Sequence, residues 1–286
     1  MTEPSARTSG TLYVVATPIG NLEDISLRAK NILQSVDFIV AEDTRHSLQL
    51  LSALGIKKPL TSLHAHNESF KSDEIVAKLN QGKSCALISD AGTPLISDPG
   101  FLLVKLARQL SMPVVPIPGP CALITALSAA GVASDIFTFY GFLPAKKAAR
   151  QKKLLSMQNV HHTLIFYEST HRIIDCIDDI ADVFGASCEL ILAKELTKTF
   201  ERFVAGDCHQ VKSWLLTDEN HCKGEFVLII PPRPMTKNNR THQQLLSVLL
   251  SELPLKQAVH LACQLSDTPK NDLYQAALLL QNEKKP

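Results

Sequence analysis

The hydrophobic residues in the N-terminal part of the chain occur in short runs, separated by longer segments with helical spacing of apolar and polar residues. The runs lie at residues 11–16, 36–41, 60–63, 85–88 and 113–117. Short runs bounded by turn residues predict buried strands, and the segments between them, such as residues 73–79 and 101–107, predict helices. Because strands alternate with helices, the pattern favours an α/β fold with a parallel-rich sheet.

The pattern changes in the second half of the chain. Residues 136–142 alternate with a period of two, which is typical of a strand, and the apolar runs at residues 163–167 and 188–193 predict two more. Residues 200–204 and 225–230 are predicted to form a strand pair joined across a helix. Antiparallel pairing is therefore more frequent here, and the pattern favours a mixed α+β sheet.

A proline-rich linker at residues 231–234 precedes three predicted helices, at residues 241–253, 255–265 and 269–280. Two helices across a short turn resemble a helix-turn-helix, which reads nucleic acid. From Met235 onward the sequence contains six Lys and Arg and four Asp and Glu, so this segment is only weakly basic. A helical extension without a role in nucleic-acid binding is therefore an equally good interpretation. We predict a disordered N-terminus at residues 1–10, an α/β domain at 11–118, an α+β domain at 119–232 and a small helical, helix-turn-helix-like extension at 235–286.

One loop organises the first domain. After the strand that ends at Ile88, two acids, two glycines and two prolines occur within the eleven residues 90–100. Gly and Pro at this density give a loop a defined shape. The loop is longer than the roughly two to six residues usual for a strand-to-helix connection. It follows the carboxyl end of a strand, where α/β proteins bind small ligands, so we predict a ligand-binding loop.

Charged residues follow the second strand at the same edge of the sheet. The segment is Glu42-Asp43-Thr44-Arg45-His46. Polar groups in a row after a buried strand favour a functional role. A structural interpretation competes with it, in which Asp43 caps the next helix and Glu42 pairs with Arg45.

Composition narrows the class of protein. The chain has 286 residues, of which 45% are hydrophobic and 20% charged, which is typical of a globular protein. With a net charge of +1 it has no overall positive potential that would attract nucleic acid. The seven cysteines form no CxxC pair and favour reduced thiols in the cytoplasm. His64 and His66 lack a suitably spaced third ligand, so no metal is expected. The most apolar stretch is too short to span a membrane.

A basic run stands out locally. The residues are Lys146, Lys147, Arg150, Lys152 and Lys153, all within eight positions and without an interleaved acid. A solvated helix face is the usual explanation of such a run. The absence of acids keeps a phosphate-contacting, RNA-binding patch as the alternative.

Eight phrases of the sequence resemble a known family when they are read together. They are TLYVVATPIGNLEDISLRA, AEDTR, SDAGTPLISDPG, PGPCALITAL, FYGFLP, IFYESTHR, KELTKTFE and GEFVLII, in this order across residues 11–230. They resemble the 16S rRNA 2′-O-ribose methyltransferases that modify a decoding-centre cytidine, within the tetrapyrrole methylase superfamily. The resemblance implies a two-domain tetrapyrrole-methylase-like fold, S-adenosylmethionine in a cleft between the domains and a cytoplasmic homodimer. It also implies 16S rRNA as substrate, within the 30S subunit.

The resemblance also implies which residues contact the cofactor. The loop at Gly92 stands where related methylases carry Gly-Asp-Pro around the methionine part of the cofactor, although Thr93 replaces the aspartate here. The implied cofactor-binding residues are Ile19, Asp90, Gly92, Thr93, Ile96, Cys121, Ala122, Tyr167 and Leu196.

Transfer of a methyl group to a ribose hydroxyl calls for a base, and nearby cations would favour the alkoxide. The candidate bases are Asp43, Glu168 and Glu195, and the candidate cations are Arg45, Arg172 and Lys198. Each follows a predicted strand, and each could equally be half of a structural ion pair. Two other functions stay open: methylation of a tetrapyrrole or other small molecule, and RNA binding without catalysis.

Overall fold

The computed structural model describes residues 9–233, 239–266 and 268–283. Within these residues the chain forms ten β-strands and eleven α-helices. One compact unit ends at Pro232, and a second begins at Arg233. None of the helices in these residues has the length and apolar character needed to cross a membrane.

The first sheet is entirely parallel. Its strands are β1 (Leu12–Val15), β2 (Phe38–Ala41), β3 (Leu60–Ser62), β4 (Cys85–Ile88) and β5 (Val114–Ile117). They lie in the order β3-β2-β4-β1-β5. The helices that follow them are α1 (Leu27–Ser35), α2 (Thr44–Ala53), α3 (Glu68–Asn80), α4 (Phe101–Gln109) and α5 (Ala122–Ala129).

Helices cover both faces of this sheet, which explains why β2 and β4, whose residues are all buried, are apolar throughout. In β4, Leu87 packs into a core shared with Leu79 of α3. Its neighbour Ile88 packs into the opposite core with Leu33 of α1. With both faces covered by helices, the open part of the sheet is the edge where the strands end, and that edge holds the loop of residues 90–100.

The second sheet is mixed. Its strands are β6 (Phe137–Phe142), β7 (Thr163–Ser169), β8 (Glu189–Lys194), β9 (Arg202–Asp207) and β10 (Glu225–Ile230), in the order β6-β7-β10-β8-β9. Only the β6–β7 pair is parallel. The helices in this part are α6 (Lys147–Leu155), α7 (Ile173–Phe184) and α8 (Cys208–Leu216). A parallel-rich sheet followed by a mixed one confirms the predicted fold class, and the domain boundaries stay predictions.

The predicted pairing of residues 200–204 with 225–230 is wrong. Strand β8 lies between β9 and β10, so that Leu192 is opposite Val204 on one side and Leu228 on the other. Strand β10 is buried over five consecutive residues and suits the centre of a sheet, whereas β9 is partly exposed and suits an edge.

Helix α3 begins at Glu68, earlier than the predicted start at residue 73. The side chain of Glu68 is buried, which is unusual for a carboxylate. Its Oε1 accepts hydrogen bonds from the backbone N–H groups of Gly100 at 3.0 Å and Leu102 at 2.6 Å. The carboxylate of Glu68, in the first turn of α3, therefore caps the N-terminus of α4.

The second compact unit contains the three predicted helices. They are α9 (Asn239–Glu252), α10 (Leu255–Leu265) and α11 (Lys270–Glu283). Leu246, Val259, Ala262, Leu273 and Ala277 form a small core of their own. The prediction of three helices is therefore confirmed.

Candidate active site

A cavity of about 650 Å³ lies between the open edge of the first sheet and one face of the second. Residues from both sheets line it. All nine residues implied as cofactor contacts are among them, namely Ile19, Asp90, Gly92, Thr93, Ile96, Cys121, Ala122, Tyr167 and Leu196. The structure thus brings together residues that are up to 177 positions apart in the sequence (196 minus 19).

Gly92 is held against the end of the first strand. Its N–H donates to the carbonyl of Thr17 at 3.0 Å, and its carbonyl accepts from the N–H of Thr17 at 2.9 Å. The φ of Gly92 is +80°, and a Cβ atom at this position would lie 3.2 Å from Cγ2 of Ile19. A side chain here would be strained and would crowd the cavity wall, so the position requires glycine.

The rest of the loop is strained and fastened at several points. Leu95 and Ser97 both have a φ of +71°, a conformation that costs a non-glycine residue on the order of 1–3 kcal/mol. Thr93 Oγ1 donates to the carbonyl of Pro120 at 2.9 Å, and Glu68 holds the far end of the loop at Gly100. Such strain persists only where the surroundings impose it, and it is typical of ligand-binding sites.

The second sheet supplies an apolar wall centred on Tyr167. Its ring makes edge contacts with Phe139 and Phe142, at centroid distances of 4.8 and 5.7 Å. Its hydroxyl accepts a hydrogen bond from the N–H of Leu123 at 3.1 Å. Burial and the nearby Cys121 raise the pKa of Tyr167, so the phenol stays neutral. The wall is therefore rigid and uncharged.

Three acids of the first sheet face the same cavity. Partial burial, followed by the charges of Asp98, Asp90 and Asp43, raises the pKa of Glu42 to about 7. Burial, reinforced by Asp90 and opposed by a hydrogen bond from Ser89, raises the pKa of Asp98 to about 6. The sequence predicted Asp90 as a cofactor contact and gave Glu42 a functional interpretation only as part of the charged run, while neither Glu42 nor Asp98 was among the predicted site residues. The available signals were that Glu42 is the first residue after β2 and that Asp98 is the second acid of the loop.

Asp43 and Arg45 lie outside the residues that line the cavity. Asp43 caps α2, where its Oδ1 accepts from the N–H of Arg45 at 2.8 Å, and its Oδ2 accepts from Nη2 of the same residue at 3.0 Å. These bonds lower the pKa of Asp43 to about 2. The structural interpretation of Asp43 as a helix cap is confirmed, but the partner of Arg45 is Asp43 rather than Glu42.

Glu168 contributes to the cavity wall, yet its side chain is completely buried. Alternation along β7 places it on the face opposite Tyr167, beside Cys176 of α7. Its Oε2 accepts from Nη2 of Arg172 at 3.1 Å, and the same guanidinium donates to the carbonyl of Leu143. The structure therefore pairs two predicted catalytic residues with each other and directs both away from the open cavity.

Glu195 and Lys198 also pair with each other, and neither lines the cavity. Lys198 Nζ lies 2.8 Å from Oε1 of Glu195 and 2.9 Å from Oε2 of Glu225. Partial burial alone would raise the pKa of Glu195, but the hydrogen bonds from Lys198 and from the N–H of Glu225 outweigh it and leave this pKa below its usual value. The pair fastens the turn after β8 to the start of β10, and Leu196 and Glu225 in these segments do line the cavity.

The structure removes Arg150 from the basic patch. Its guanidinium is only 3% exposed, and its Nε donates to Oδ2 of the buried Asp179 at 2.6 Å. A side chain in this position stabilises the packing of α6 on α7 and is not available to phosphate. The exposed members of the run are Lys146, Lys147, Lys152 and Lys153. Two of them have partners: Nζ of Lys147 lies 3.7 Å from Oδ1 of Asp179, and Nζ of Lys153 lies over the ring of Tyr140.

Comparisons with known proteins agree with this arrangement. Residues 11–212 match the family model of the Tetrapyrrole (Corrin/Porphyrin) Methylases, and residues 238–281 match that of the RsmI C-terminal HTH domain. The chain is 52% identical over 274 residues to the Ribosomal RNA small subunit methyltransferase I of Haemophilus influenzae, covering 94% of this chain and 97% of that protein. It is 49% identical over 271 residues to the protein of the same name from Escherichia coli O157:H7, covering 94% and 95%.

Two solved structures are similar in fold. The uroporphyrin-III-C-methyltransferase from Thermus thermophilus has a TM-score of 0.55 at 18% identity, covering 78% of this chain and 94% of that one. The cobalt precorrin-4 methyltransferase CbiF has a TM-score of 0.58 at 12% identity, covering 81% and 98%. At this level of identity the likeness concerns the fold alone.

Proposed function

We propose, since the chain belongs to the tetrapyrrole methylase family and within it to the ribosomal RNA small subunit methyltransferase I proteins, that it methylates the ribose 2′-oxygen of a decoding-centre cytidine in 16S rRNA. The protein is a methyltransferase, and S-adenosylmethionine is its methyl donor. The rRNA substrate rests on the names of its relatives. The ribose oxygen and the nucleotide rest on the eight phrases of the sequence that resemble the family.

One observation carries the assignment of the cofactor site: the nine implied contact residues line a single cavity. Its volume of about 650 Å³ lies within the range of roughly 300–1,000 Å³ usual for small-molecule sites. The donor set also fits the cofactor. Asp90 and Asp98 provide negative charge for a sulfonium and an ammonium group, and the apolar wall at Tyr167 and Leu196 suits an adenosine.

When it is bound, S-adenosylmethionine supplies an electrophilic methyl group on a positively charged sulfur. The protein's own residues then have two tasks. The fastened loop at Gly92 and the rigid wall at Tyr167 hold the two reactants in line, which is the larger contribution when the leaving group is already activated. A base must take the proton of the ribose hydroxyl, because a neutral hydroxyl is a poor nucleophile.

Two features favour RNA as the methyl acceptor. Lys146, Lys147 and Lys152 are exposed on and beside α6, where they can neutralise phosphates. The terminal unit matches a helix-turn-helix family model, an arrangement that reads nucleic acid in other proteins. We propose that the acceptor is 16S rRNA within the 30S subunit and that the protein acts in the cytoplasm as a homodimer.

Methyl transfer to purified 30S particles tests this function. We expect label from methyl-tritiated S-adenosylmethionine to enter 16S rRNA, and mass spectrometry of nuclease fragments to place it on one cytidine ribose. rRNA from a strain without the protein should lack that single methyl group. Label in a porphyrinoid but not in rRNA would favour small-molecule methylation. RNA binding without saturable cofactor binding would favour a non-enzymatic protein.

A further inference from the structure

The five acidic residues that line the cavity differ in whether their carboxylates already have hydrogen-bond partners. Four of the five accept a hydrogen bond from a neighbouring residue, namely Asp90, Asp98, Glu168 and Glu225. Within the described part of the chain no hydrogen bond or ion pair reaches the carboxylate of Glu42. A carboxylate that is committed to no partner is free to accept a proton from a ligand.

Glu42 stands at a rigid point of the cavity. It follows Ala41, the last residue of β2, which lies opposite Ile88 at the end of β4. The loop that carries Gly92 begins just beyond Ile88. The pairing of β2 with β4 therefore fixes the backbone of Glu42 beside the loop that we assign to the cofactor. A catalytic group needs such support to keep its geometry.

We infer that Glu42 is the general base of the methyl transfer, accepting the proton of the ribose 2′-hydroxyl. This inference rests on the proposed function. As the proton passes to the carboxylate, the oxygen's electron pair forms the new O–CH₃ bond and the C–S bonding pair stays on sulfur. The products are a ribose methyl ether, a neutral thioether and a protonated Glu42, which then loses its proton to water.

The electrostatic surroundings suit this role. Partial burial is the main reason that the pKa of Glu42 is raised to about 7, and the negative charges of Asp98, Asp90 and Asp43 raise it further. A base is most effective when its pKa lies near the working pH. Within the described residues no Lys or Arg forms an ion pair with Glu42, Asp90 or Asp98. The nearby Asp43 does have such a partner, which is Arg45. The three bases predicted from the sequence are each held by a cation instead.

His171 is the competing group. It also lines the cavity, and histidine as a residue type can accept a proton near neutral pH. Its side chain is exposed and lies after β7, in the second sheet, whereas Glu42 is half-buried beside the loop. Separate variants of the two residues distinguish them.

The experiment compares single-turnover methylation of 30S particles by the full-length protein and by Glu42→Gln, with calorimetry of S-adenosylmethionine binding. Glutamine keeps the shape but cannot act as the base. We expect the rate to fall about 10²–10⁴-fold, with an unchanged cofactor affinity. The rate of the unsubstituted protein should rise with pH through an apparent pKa of about 7, and this limb should vanish in the variant. Glu189→Gln, an exposed acid at the start of β8, is the matched control and should keep both rate and pH profile.

Three results would overturn the inference while leaving the proposed function intact. They are a Glu42→Gln variant with full activity, a variant whose loss of rate equals its loss of cofactor affinity, and a pH limb that disappears in His171→Gln instead. Failure of the proposed function looks different. In that case the unsubstituted protein places no methyl group on a ribose, and Glu42 has no hydroxyl proton to accept.

Discussion

Thr17 and Gly92 exchange two backbone hydrogen bonds, at 2.9 and 3.0 Å, although 75 residues separate them in the chain. This bridge ties the end of β1 to the loop after β4. Thr17 is completely buried, and its hydroxyl donates to the carbonyl of Ser89 as well. The cavity wall at Gly92 is therefore part of the folded core and not a mobile loop tip.

The first prediction concerns Gly92→Ala. A Cβ atom would meet Ile19 at 3.2 Å on a backbone with a φ of +80°, so we expect a loss of stability of about 1–2 kcal/mol. We also expect at least a roughly tenfold loss of S-adenosylmethionine affinity by calorimetry, since about 1.4 kcal/mol of lost binding energy has that effect. Gly55→Ala is the matched control, because Gly55 has a φ of +70° and open space around it. Equal cofactor affinity in the two variants would contradict this account of the loop.

The second prediction concerns Arg150→Met. Removing the guanidinium leaves Asp179 buried without its closest partner, and breaking such a pair costs about 3–5 kcal/mol. We expect a large fall in the urea midpoint of unfolding. Lys152→Met, an exposed neighbour on the same helix, should change it little. If Arg150→Met lowered 30S affinity without loss of stability, the residue would return to the RNA-binding patch.

The third prediction concerns the exposed lysines of α6 and its start. The double variant Lys146→Ala and Lys152→Ala should weaken binding to 30S particles. The slope of log K against log salt should become shallower by about one for each phosphate that is no longer neutralised. Cofactor affinity should stay the same. Lys57→Ala with Lys83→Ala removes two exposed lysines of the first sheet's connections and serves as the control. An identical salt slope in the two double variants would remove the patch from the interface.

The fourth prediction concerns stability and pH. The pKa of Glu42 rises from the ordinary 4.5 to about 7 in the folded protein, so the folded state binds more protons than the unfolded one between these values. Stability should therefore fall as pH rises through this range. Glu42→Gln does not carry this charge, and we expect it to melt at a higher temperature than the unsubstituted protein at pH 8. The difference should shrink towards pH 4, and a variant that is less stable at pH 8 would contradict the pKa assignment.

Much of the fold follows from local patterns. Strands β2 and β4 of the parallel sheet are continuous apolar runs because both of their faces are buried, so their positions are visible in the sequence. The order of the second sheet is not visible in the same way. Nothing local states that β8 separates β9 from β10, since pairing depends on which edges remain free after the chain has folded.

The site divides along similar lines. The residues around Gly92 and Tyr167 could be found, because special backbone shapes and aromatic walls leave recognisable phrases. The role of each charge could not, since it depends on its partner in space. Arg150 is basic in the sequence but belongs to Asp179 in the structure. Glu42 is one acid in a charged run, and only its lack of a partner within the described residues separates it from Asp43.

The central claim is that one cavity between the two sheets holds the methyl donor. A crystal structure of the protein with S-adenosylhomocysteine tests it most directly. We predict electron density that contacts both the loop at Gly92 and the ring of Tyr167, with the sulfur on the side of Glu42. Density elsewhere on the protein, or density in this cavity with the sulfur far from Glu42, would contradict the account.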